Sequence, residues 1–214
     1  MTEKHNPPPD DGFYMGCSAG GMNQGPPIPP RKILTGDDLE EAKKWMDYLT
    51  EVAGRSTCTR SKRGVIIVKY GEVIGKGFNR PYNGFEAYCH PCMRIKLDVP
   101  HKTRYELCSG EHAERVALDD IICNMLKADK ELRYKFNPWK ARMYHIALDD
   151  SGNPMASGDP SCTLCSGPIL KSGIVDVVLW HGGDNYEAYN ARTFHELSIQ
   201  NMVKHSGLDK RASP

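Results

Sequence analysis

Two short polar segments constrain the fold of this chain more than any other feature. His112-Ala113-Glu114 stands at the start of one predicted helix, and Cys162 and Cys165 stand three residues apart at the start of the next. Two thiolates on one helical turn can bind a single metal ion, and an imidazole from a facing helix can add a third ligand. The pattern therefore predicts that these two helices begin side by side.

The same residues predict the chemistry of a catalytic zinc site. Three protein ligands, His112, Cys162 and Cys165, leave a tetrahedral Zn²⁺ with one open position, and zinc lowers the pKa of a water bound there to about 7. Glu114 is two residues from the histidine, within reach of that water. It could take the proton and pass it to a ring nitrogen and then to leaving ammonia. A His-x-Glu segment followed by Pro-Cys-x-x-Cys is typical of zinc nucleobase deaminases.

Each segment alone has an ordinary explanation. A helical His-x-Glu can be a solvated helix face, and a Cys-x-x-Cys pair can be redox-active or part of a structural zinc site. A non-enzymatic alternative is an interaction module held together by zinc, but a structural site needs no proton-shuttling carboxylate such as Glu114. The presence of both segments, each at a helix start after a strand, favours catalytic zinc.

Composition limits the compartment and the partners. The 214 residues include 28 Lys and Arg and 27 Asp and Glu, a net charge of +1, and only 8% aromatic residues. These values argue against a polynucleotide-binding surface. No apolar run approaches the roughly 18 residues of a membrane span, and the first thirty residues lack a signal-peptide pattern. We therefore expect a cytoplasmic protein without membrane contact, in which eight cysteines favour metal ligation over disulfides.

The periodicity of apolar residues predicts one domain over residues 31–206. Residues 1–30 are rich in proline and glycine and predict a disordered tail, or alternatively an arm that wraps a neighbouring subunit, and residues 207–214 are expected to be a second tail. The element order α-β-β-α-β-α-β-α predicts an α/β domain, a three-layer α-β-α fold with a mixed central sheet. Its predicted helices cover about 37–52, 110–128, 162–172 and 189–204, and its strands 64–68, 73–78, 142–148 and 174–180.

Residues 80–109 interrupt this order because they show no clean periodicity. Such a long irregular insertion is unusual in a compact domain, so something other than the apolar core is expected to hold it. Four cysteines near it predict a possible second, structural zinc, which would supply folding energy: Cys58, Cys89, Cys92 and Cys108. His90 and His101 are rival ligands for one position, and separate buried thiols are the alternative to a metal site.

From Arg55 onward the sequence resembles the deoxycytidylate deaminase family of the cytidine deaminase superfamily. The matching segments are Arg55 to Arg60, Gly64 to Gly77, Gly77-Phe78-Asn79, Tyr105 to Cys108, His112-Ala113-Glu114 and Cys162 to Gly173. The resemblance implies hydrolytic deamination of dCMP to dUMP, with His112, Cys162 and Cys165 as zinc ligands and Glu114 as proton shuttle. It also implies a homo-oligomer and a nucleotide substrate, and Cys58 and Cys89 match ligands of a second zinc in some members.

We further expect substrate contacts by Asn79, Ala113 and Arg80, although Arg80 replaces the glycine that follows this asparagine in the family. Asn79 matches an asparagine beside the sugar, where an amide can donate to and accept from a hydroxyl, although asparagine also favours turns after strands. The Arg80 guanidinium suits a phosphate, or Arg80 is an exposed loop residue. Because Ser161 intervenes where the family has proline before the first zinc cysteine, other substrates stay open: cytosine, guanine, a nucleoside, a modified pyrimidine or a polynucleotide.

Overall fold

The structure is a computed structural model that describes residues 31–206. Its strands are β1 (Lys32–Ile33), β2 (Lys62–Lys69), β3 (Glu72–Phe78), β4 (Arg80–Pro81), β5 (Gly110–Glu111), β6 (Arg142–Leu148), β7 (Pro154–Met155), β8 (Asp176–Trp180) and β9 (Tyr186–Asn190). Its helices are α1 (Gly36–Gly54), α2 (Met93–Lys96), α3 (Ala113–Lys127), α4 (Thr163–Ser172) and α5 (Ala191–Ser206). The predicted tails, residues 1–30 and 207–214, lie outside the described residues. No helix within residues 31–206 is long and apolar enough to cross a membrane.

Seven strands form one mixed sheet. Their order is β1-β9-β8-β6-β2-β3, with β7 also paired to β6, and only β6 and β8 run parallel among these pairs. Strands β4 and β5 form a separate antiparallel pair. One apolar cluster packs α1 against the sheet, and a second packs α3, α4 and α5 against the opposite face. The predicted three-layer α-β-α fold is therefore confirmed.

Strand β6 lies inside the sheet and carries side chains to both layers. Met143 belongs to the apolar cluster beneath α3 and α4, whereas Tyr144 and Ile146 belong to the cluster beneath α1. Because side chains alternate along a strand, His145 lies on the same face as Met143. A buried polar residue is thus carried to the side of the sheet where α3 and α4 pack.

Two glycines in β3 let α3 approach the sheet closely. A Cβ atom on Gly77 would lie 2.4 Å from the Ala113 carbonyl oxygen, and a Cβ on Gly75 would lie 2.7 Å from the Ala117 carbonyl oxygen. Both distances are far below van der Waals contact, and the obstructing atoms are helix backbone. The start of α3, which follows His112, therefore depends on missing side chains in β3.

Replacing Gly77 with alanine is expected to destabilise the fold by about 1–3 kcal/mol, because the added methyl group pushes α3 away from β3. The matched control is Gly54→Ala, since a Cβ there meets nothing within 4 Å and alanine favours a helix. Urea unfolding of both variants measures the difference. Equal midpoints for Gly77→Ala and the wild type would contradict this account of the α3 contact.

The structure corrects two predicted helix starts. The last helix begins at Ala191 rather than Tyr189, because residues 186–190 form β9 between β8 and β1. Tyr186 and Ala188 alternate into the apolar cluster beneath α1, and this tertiary pairing overrides local helix propensity. Similarly, α3 begins at Ala113 rather than Gly110, because residues 110–111 pair with β4.

Guanidinium groups hold the 80–109 insertion through its backbone carbonyls. Arg60 donates to the Arg94 oxygen at 2.9 Å and to the Val99 oxygen at 2.5 Å. Arg94 in turn donates from Nη2 to the Thr103 oxygen at 2.6 Å. The expectation that something other than the apolar core holds this segment is thus met by hydrogen bonds that need no metal.

Candidate active site

The starts of α3 and α4 meet, as the two polar segments predict. His112 immediately precedes α3, while Cys162 immediately precedes α4 and Cys165 lies in the first turn of α4. The His112 Nδ1 atom is 3.1 Å from the Cys165 Sγ atom and 3.4 Å from the Cys162 Sγ atom, and the two sulfurs are 3.3 Å apart. We call these three residues the metal triad. In the described part of the chain, only this group of three His, Cys, Asp or Glu residues has all its ligand atoms within 4.8 Å of one another.

The metal triad fits zinc in both chemistry and spacing. One imidazole nitrogen and two thiolate sulfurs are ordinary zinc ligands, and a tetrahedral ion with usual bond lengths separates them by about 3.5–3.8 Å. The observed separations require movements of less than about 0.5 Å to reach those values. Three ligands also leave a fourth position open, which is the arrangement of a catalytic rather than a closed structural site.

The three residues of the metal triad change one another's pKa values. A hydrogen bond with Cys165 lowers the pKa of the Cys162 thiol to about 6, and the same contact together with burial raises the pKa of Cys165 well above its ordinary value. Burial would lower the pKa of His112, but hydrogen bonds with Cys108 and Cys162 raise it to about 10. A metal ion that binds here displaces protons, because thiolates and a free imidazole nitrogen are the ligating forms.

Glu114 faces the metal triad without belonging to it. It lies in the first turn of α3, and its carboxylate contacts the Cys165 thiol. Burial raises the pKa of Glu114, but the positive charges that His145 and His112 carry at low pH outweigh burial and bring this pKa below its ordinary value. Glu114 is therefore ionised at neutral pH, and its carboxylate can accept a proton.

A cavity of about 610 Å³ opens beside the metal triad. His112, Cys162 and Glu114 line it, together with the loop at residues 156–161 and parts of the 80–109 insertion. This volume lies within the usual range for small-ligand pockets. The site can therefore bring a small organic molecule to the metal triad and to the Glu114 carboxylate.

Asn79 lies in the cavity wall, as its predicted contact with substrate requires, but most of its side chain is already hydrogen-bonded. Its Oδ1 atom accepts from the Ser56 hydroxyl at 2.7 Å and from the Arg63 backbone N–H at 2.8 Å. Its Nδ2 atom donates to the Ser61 carbonyl at 2.7 Å. These bonds tie the segment before β2 to the end of β3, so Asn79 shapes the cavity wall.

Ala113 and Arg80 also line the cavity. Ala113 is fully buried at the first position of α3. The Arg80 Nε atom donates to the Glu111 carboxylate at 3.0 Å, and the Arg80 side chain is about half exposed. Arg80 therefore already has an ion-pair partner inside the protein.

The four cysteines near the insertion line the same cavity but are not gathered around one point. No three of the sulfurs of Cys58, Cys89, Cys92 and Cys108 lie within 4.8 Å of one another, as the ligand atoms of the metal triad do. The Cys89 sulfur lies 3.5 Å from the Ser109 hydroxyl, and the Cys108 thiol is directed to His112 and to the Gly110 carbonyl. The predicted four-thiol site is therefore not assembled in this conformation, and a second zinc requires the insertion to move.

His145 is a residue in this site that the sequence analysis missed. It lines the cavity from β6, is 9% exposed, and its Nδ1 atom has no hydrogen-bond partner in the described residues. Burial lowers the pKa of His145 to about 4, so it is neutral at neutral pH. The sequence did contain a clue to this position. His145 is the one histidine in the predicted strand 142–148, and the alternation of side chains along that strand puts it on the face that packs against α3 and α4.

Tyr105 is a second missed residue, and it links the insertion to the metal triad. Its ring lies edge-on to the His112 ring with centroids 5.7 Å apart, and its hydroxyl is 2.6 Å from the Ser161 hydroxyl. Ser161 directly precedes Cys162. Tyr105 therefore contacts both segments that carry the metal triad.

Comparison with known proteins identifies the family. A family model described as the cytidine and deoxycytidylate deaminase zinc-binding region matches residues 39–181. The deoxycytidylate deaminase of Mycobacterium phage D29 is 35% identical over 104 residues, which cover 42% of this chain and 80% of that protein.

Two solved structures are also similar to this chain. The dCMP deaminase of cyanophage S-TIM5 in its apo form has a TM-score of 0.41 and 22% identity over 64% of this chain and 80% of its own. The cytidine deaminase of Burkholderia pseudomallei has a TM-score of 0.42 and 16% identity over 75% of this chain and 96% of its own. The family match spans about two thirds of the sequence and includes both segments of the metal triad. The chain therefore belongs to the cytidine and deoxycytidylate deaminase family and is a hydrolytic deaminase.

Proposed function

We propose that this protein converts dCMP and water to dUMP and ammonia, with His112, Cys162 and Cys165 as the ligands of a catalytic zinc. The observation that carries the proposal is the Glu114 carboxylate against the metal triad, at the wall of a cavity of about 610 Å³. The 35% identity to a phage deoxycytidylate deaminase supports the choice of dCMP among the amines that this chemistry could accept.

In this proposal the metal triad and Glu114 have different roles in the reaction. Zinc, when bound, acidifies a water molecule so that it can attack carbon at neutral pH. The metal triad would hold the ion, and the Glu114 carboxylate would accept the proton of the attacking water. The same carboxyl then donates that proton to the ring nitrogen beside the attacked carbon. It takes a second proton from the new hydroxyl group on this carbon and gives it to the amine, so that the C–N bond breaks and ammonia leaves. His145 is neutral at neutral pH and Glu114 is ionised, so Glu114 is the group that can accept a proton beside the metal triad.

The substrate contacts in this proposal are Asn79, Ala113 and Arg80, all in the cavity wall. Asn79 holds the wall near the sugar, and Ala113 lies beside the base at the start of α3. Arg80 reaches the substrate only if it exchanges its bond with Glu111 for one to the substrate. We also propose a homo-oligomer, on the strength of the family resemblance, and keep the cytoplasm as its expected location.

A second, structural zinc on Cys58, Cys89, Cys92 and Cys108 is part of the same proposal. All four cysteines are partly buried and line one cavity, so a movement of the insertion would be needed to bring their sulfurs together. Four thiolates would form a closed site, and closing it would draw the insertion together.

Zinc per chain and ammonia release on a panel of amines test both parts together. We expect about two zinc ions per chain and a clear preference for dCMP over CMP, deoxycytidine, cytosine and guanine. One zinc per chain would contradict the second site and leave the arginine hydrogen bonds as the support of the insertion. Zinc-loaded protein that prefers a free base or a nucleoside would replace dCMP with that amine as the substrate.

A further inference from the structure

A buried guanidinium lies in the wall of the cavity, away from the metal triad. Arg94 belongs to α2 in the insertion, and only 7% of its surface is exposed. It lines the same cavity as His112 and Glu114. An arginine is always charged at physiological pH, and a buried charge is costly unless it is paired.

No carboxylate within residues 31–206 is close enough to Arg94 to form an ion pair, and Glu106 and Cys108 interact with its charge only from beyond that distance. The Arg94 Nη2 atom donates to the Thr103 carbonyl, whereas its Nε atom is buried without a hydrogen-bond partner. Within residues 31–206, no ion pair includes Arg94. The Arg94 guanidinium therefore keeps unused donors and has no ion-pair partner among the described residues.

Three other arginines line the cavity, and they differ from Arg94 in their surroundings. Arg63 has no ion-pair partner within residues 31–206, but its charge acts on Glu114, at the metal-triad end of the cavity. Both Nη atoms of Arg60 are used by backbone carbonyls, so its role is to hold the insertion. Arg80 is paired with Glu111 and is about half exposed. Lys102 lines the cavity and has no ion-pair partner among residues 31–206, and its Nζ atom lies against Gly158 in the loop that leads to Cys162. Lys102 thus adds a second unpaired cation on the insertion side.

Arg94 and the metal triad are placed so that one elongated ligand could contact both. The Arg94 Cζ atom stacks over the Tyr105 ring, 4.8 Å from its centroid, and the Tyr105 and His112 rings lie edge-to-face with their centroids 5.7 Å apart. One aromatic ring therefore separates the cation from the metal ligand. A nucleotide whose base meets Glu114 can pass Tyr105 with its sugar and reach Arg94 with its phosphate.

We propose that Arg94, assisted by Lys102, binds the phosphate group of the substrate, so that the 80–109 insertion selects nucleotides over nucleosides. The proposal rests on the proposed function for the identity of the base, but the anion site itself follows from the buried, unpaired guanidinium. A planar guanidinium offers a phosphate two parallel donors.

Calorimetric titration of the full, zinc-loaded chain with inorganic phosphate tests the anion site without any turnover. We expect Arg94→Gln to weaken phosphate binding on the order of 10- to 100-fold, the usual scale for hydrogen bonds to a charged group. Arg94→Lys keeps the charge and should retain part of the binding. The control is Arg104→Gln, an exposed arginine of the same insertion that is paired with Glu106. Equal phosphate binding by the wild type and Arg94→Gln, or none by the wild type, would overturn the proposal.

Steady-state kinetics then test whether the anion that Arg94 binds is the phosphate group of the substrate. Arg94→Gln should lower kcat/KM for dCMP on the order of 10- to 100-fold and leave kcat/KM for deoxycytidine nearly unchanged, and inorganic phosphate should compete with dCMP. An equal loss on both substrates, or non-competitive inhibition by phosphate, would overturn the assignment to the substrate. Failure of the zinc-loaded wild type to deaminate dCMP would instead contradict the proposed function, while the calorimetry still decides the anion site.

Discussion

Glu114→Gln is expected to lower the turnover number for dCMP by on the order of 10²- to 10⁴-fold while leaving the zinc content unchanged. The amide has nearly the size of the carboxylate, and Glu114 lies outside the metal triad, so the ligands keep their positions. The amide cannot accept the proton that the Glu114 carboxylate takes, and it has none to give to the ring nitrogen. Ammonia release and zinc per chain, measured on the same preparation, check both halves of this expectation.

Glu106→Gln is the matched control for this variant. Glu106 is an exposed carboxylate of the insertion, paired with Arg104, and it has no place in the proposed chemistry. Its removal should change turnover little. If Glu114→Gln kept most of the wild-type rate with full zinc, the proton would have another carrier and the proposed role of Glu114 would be wrong.

The sequence was sufficient to predict the layers of the fold and the metal triad, because both depend on local patterns. The helix starts at His112 and Cys162 follow strands, and the β-branched runs in β2 and β8 mark buried strands. Such patterns repeat within a few residues and need no knowledge of the partner segment. The position of Cys165 followed from helical geometry alone, since residues three apart share a face.

The insertion and β9 could not be predicted in the same way, because their structure depends on distant partners. Residues 186–190 become a strand through pairing with β8 and β1, and the insertion is held when Arg60 reaches carbonyls more than thirty positions away. Neither relation leaves a periodic pattern in the sequence. The second metal site was predicted from the number of thiols near the insertion, but number alone does not determine where the sulfurs point.

The side chains around the metal triad also depend on distant partners, so their roles were harder to predict than the triad itself. Asn79 was placed beside the sugar by resemblance, and the structure shows that its amide ties together the loops that form the cavity wall. His145 was overlooked because a single histidine in a strand has no motif around it. Arg94 was overlooked because its importance comes from the partner it lacks, which is visible only once burial and hydrogen bonds are known.

Cys165→Ser is expected to remove one zinc ion per chain and to reduce turnover to the background rate. A serine hydroxyl does not ionise at neutral pH, so the metal triad would lose a thiolate and keep only His112 and Cys162. Because Cys165 is 0% exposed and zinc binds the folded chain, the loss should also lower stability. Zinc at a thousandfold excess over its Kd contributes about 4 kcal/mol, and this contribution should disappear.

The control is Cys123→Ser, which removes an exposed thiol of α3 away from the metal triad and should keep full zinc, rate and melting temperature. Comparing the three proteins with and without a chelator separates the site from general thiol effects. Chelation should lower the melting temperature of the wild type and of Cys123→Ser, because both hold the catalytic ion. It should lower that of Cys165→Ser by less, and any remaining shift would report zinc bound at the insertion. A Cys165→Ser variant with the full wild-type zinc content would place the metal elsewhere than the metal triad.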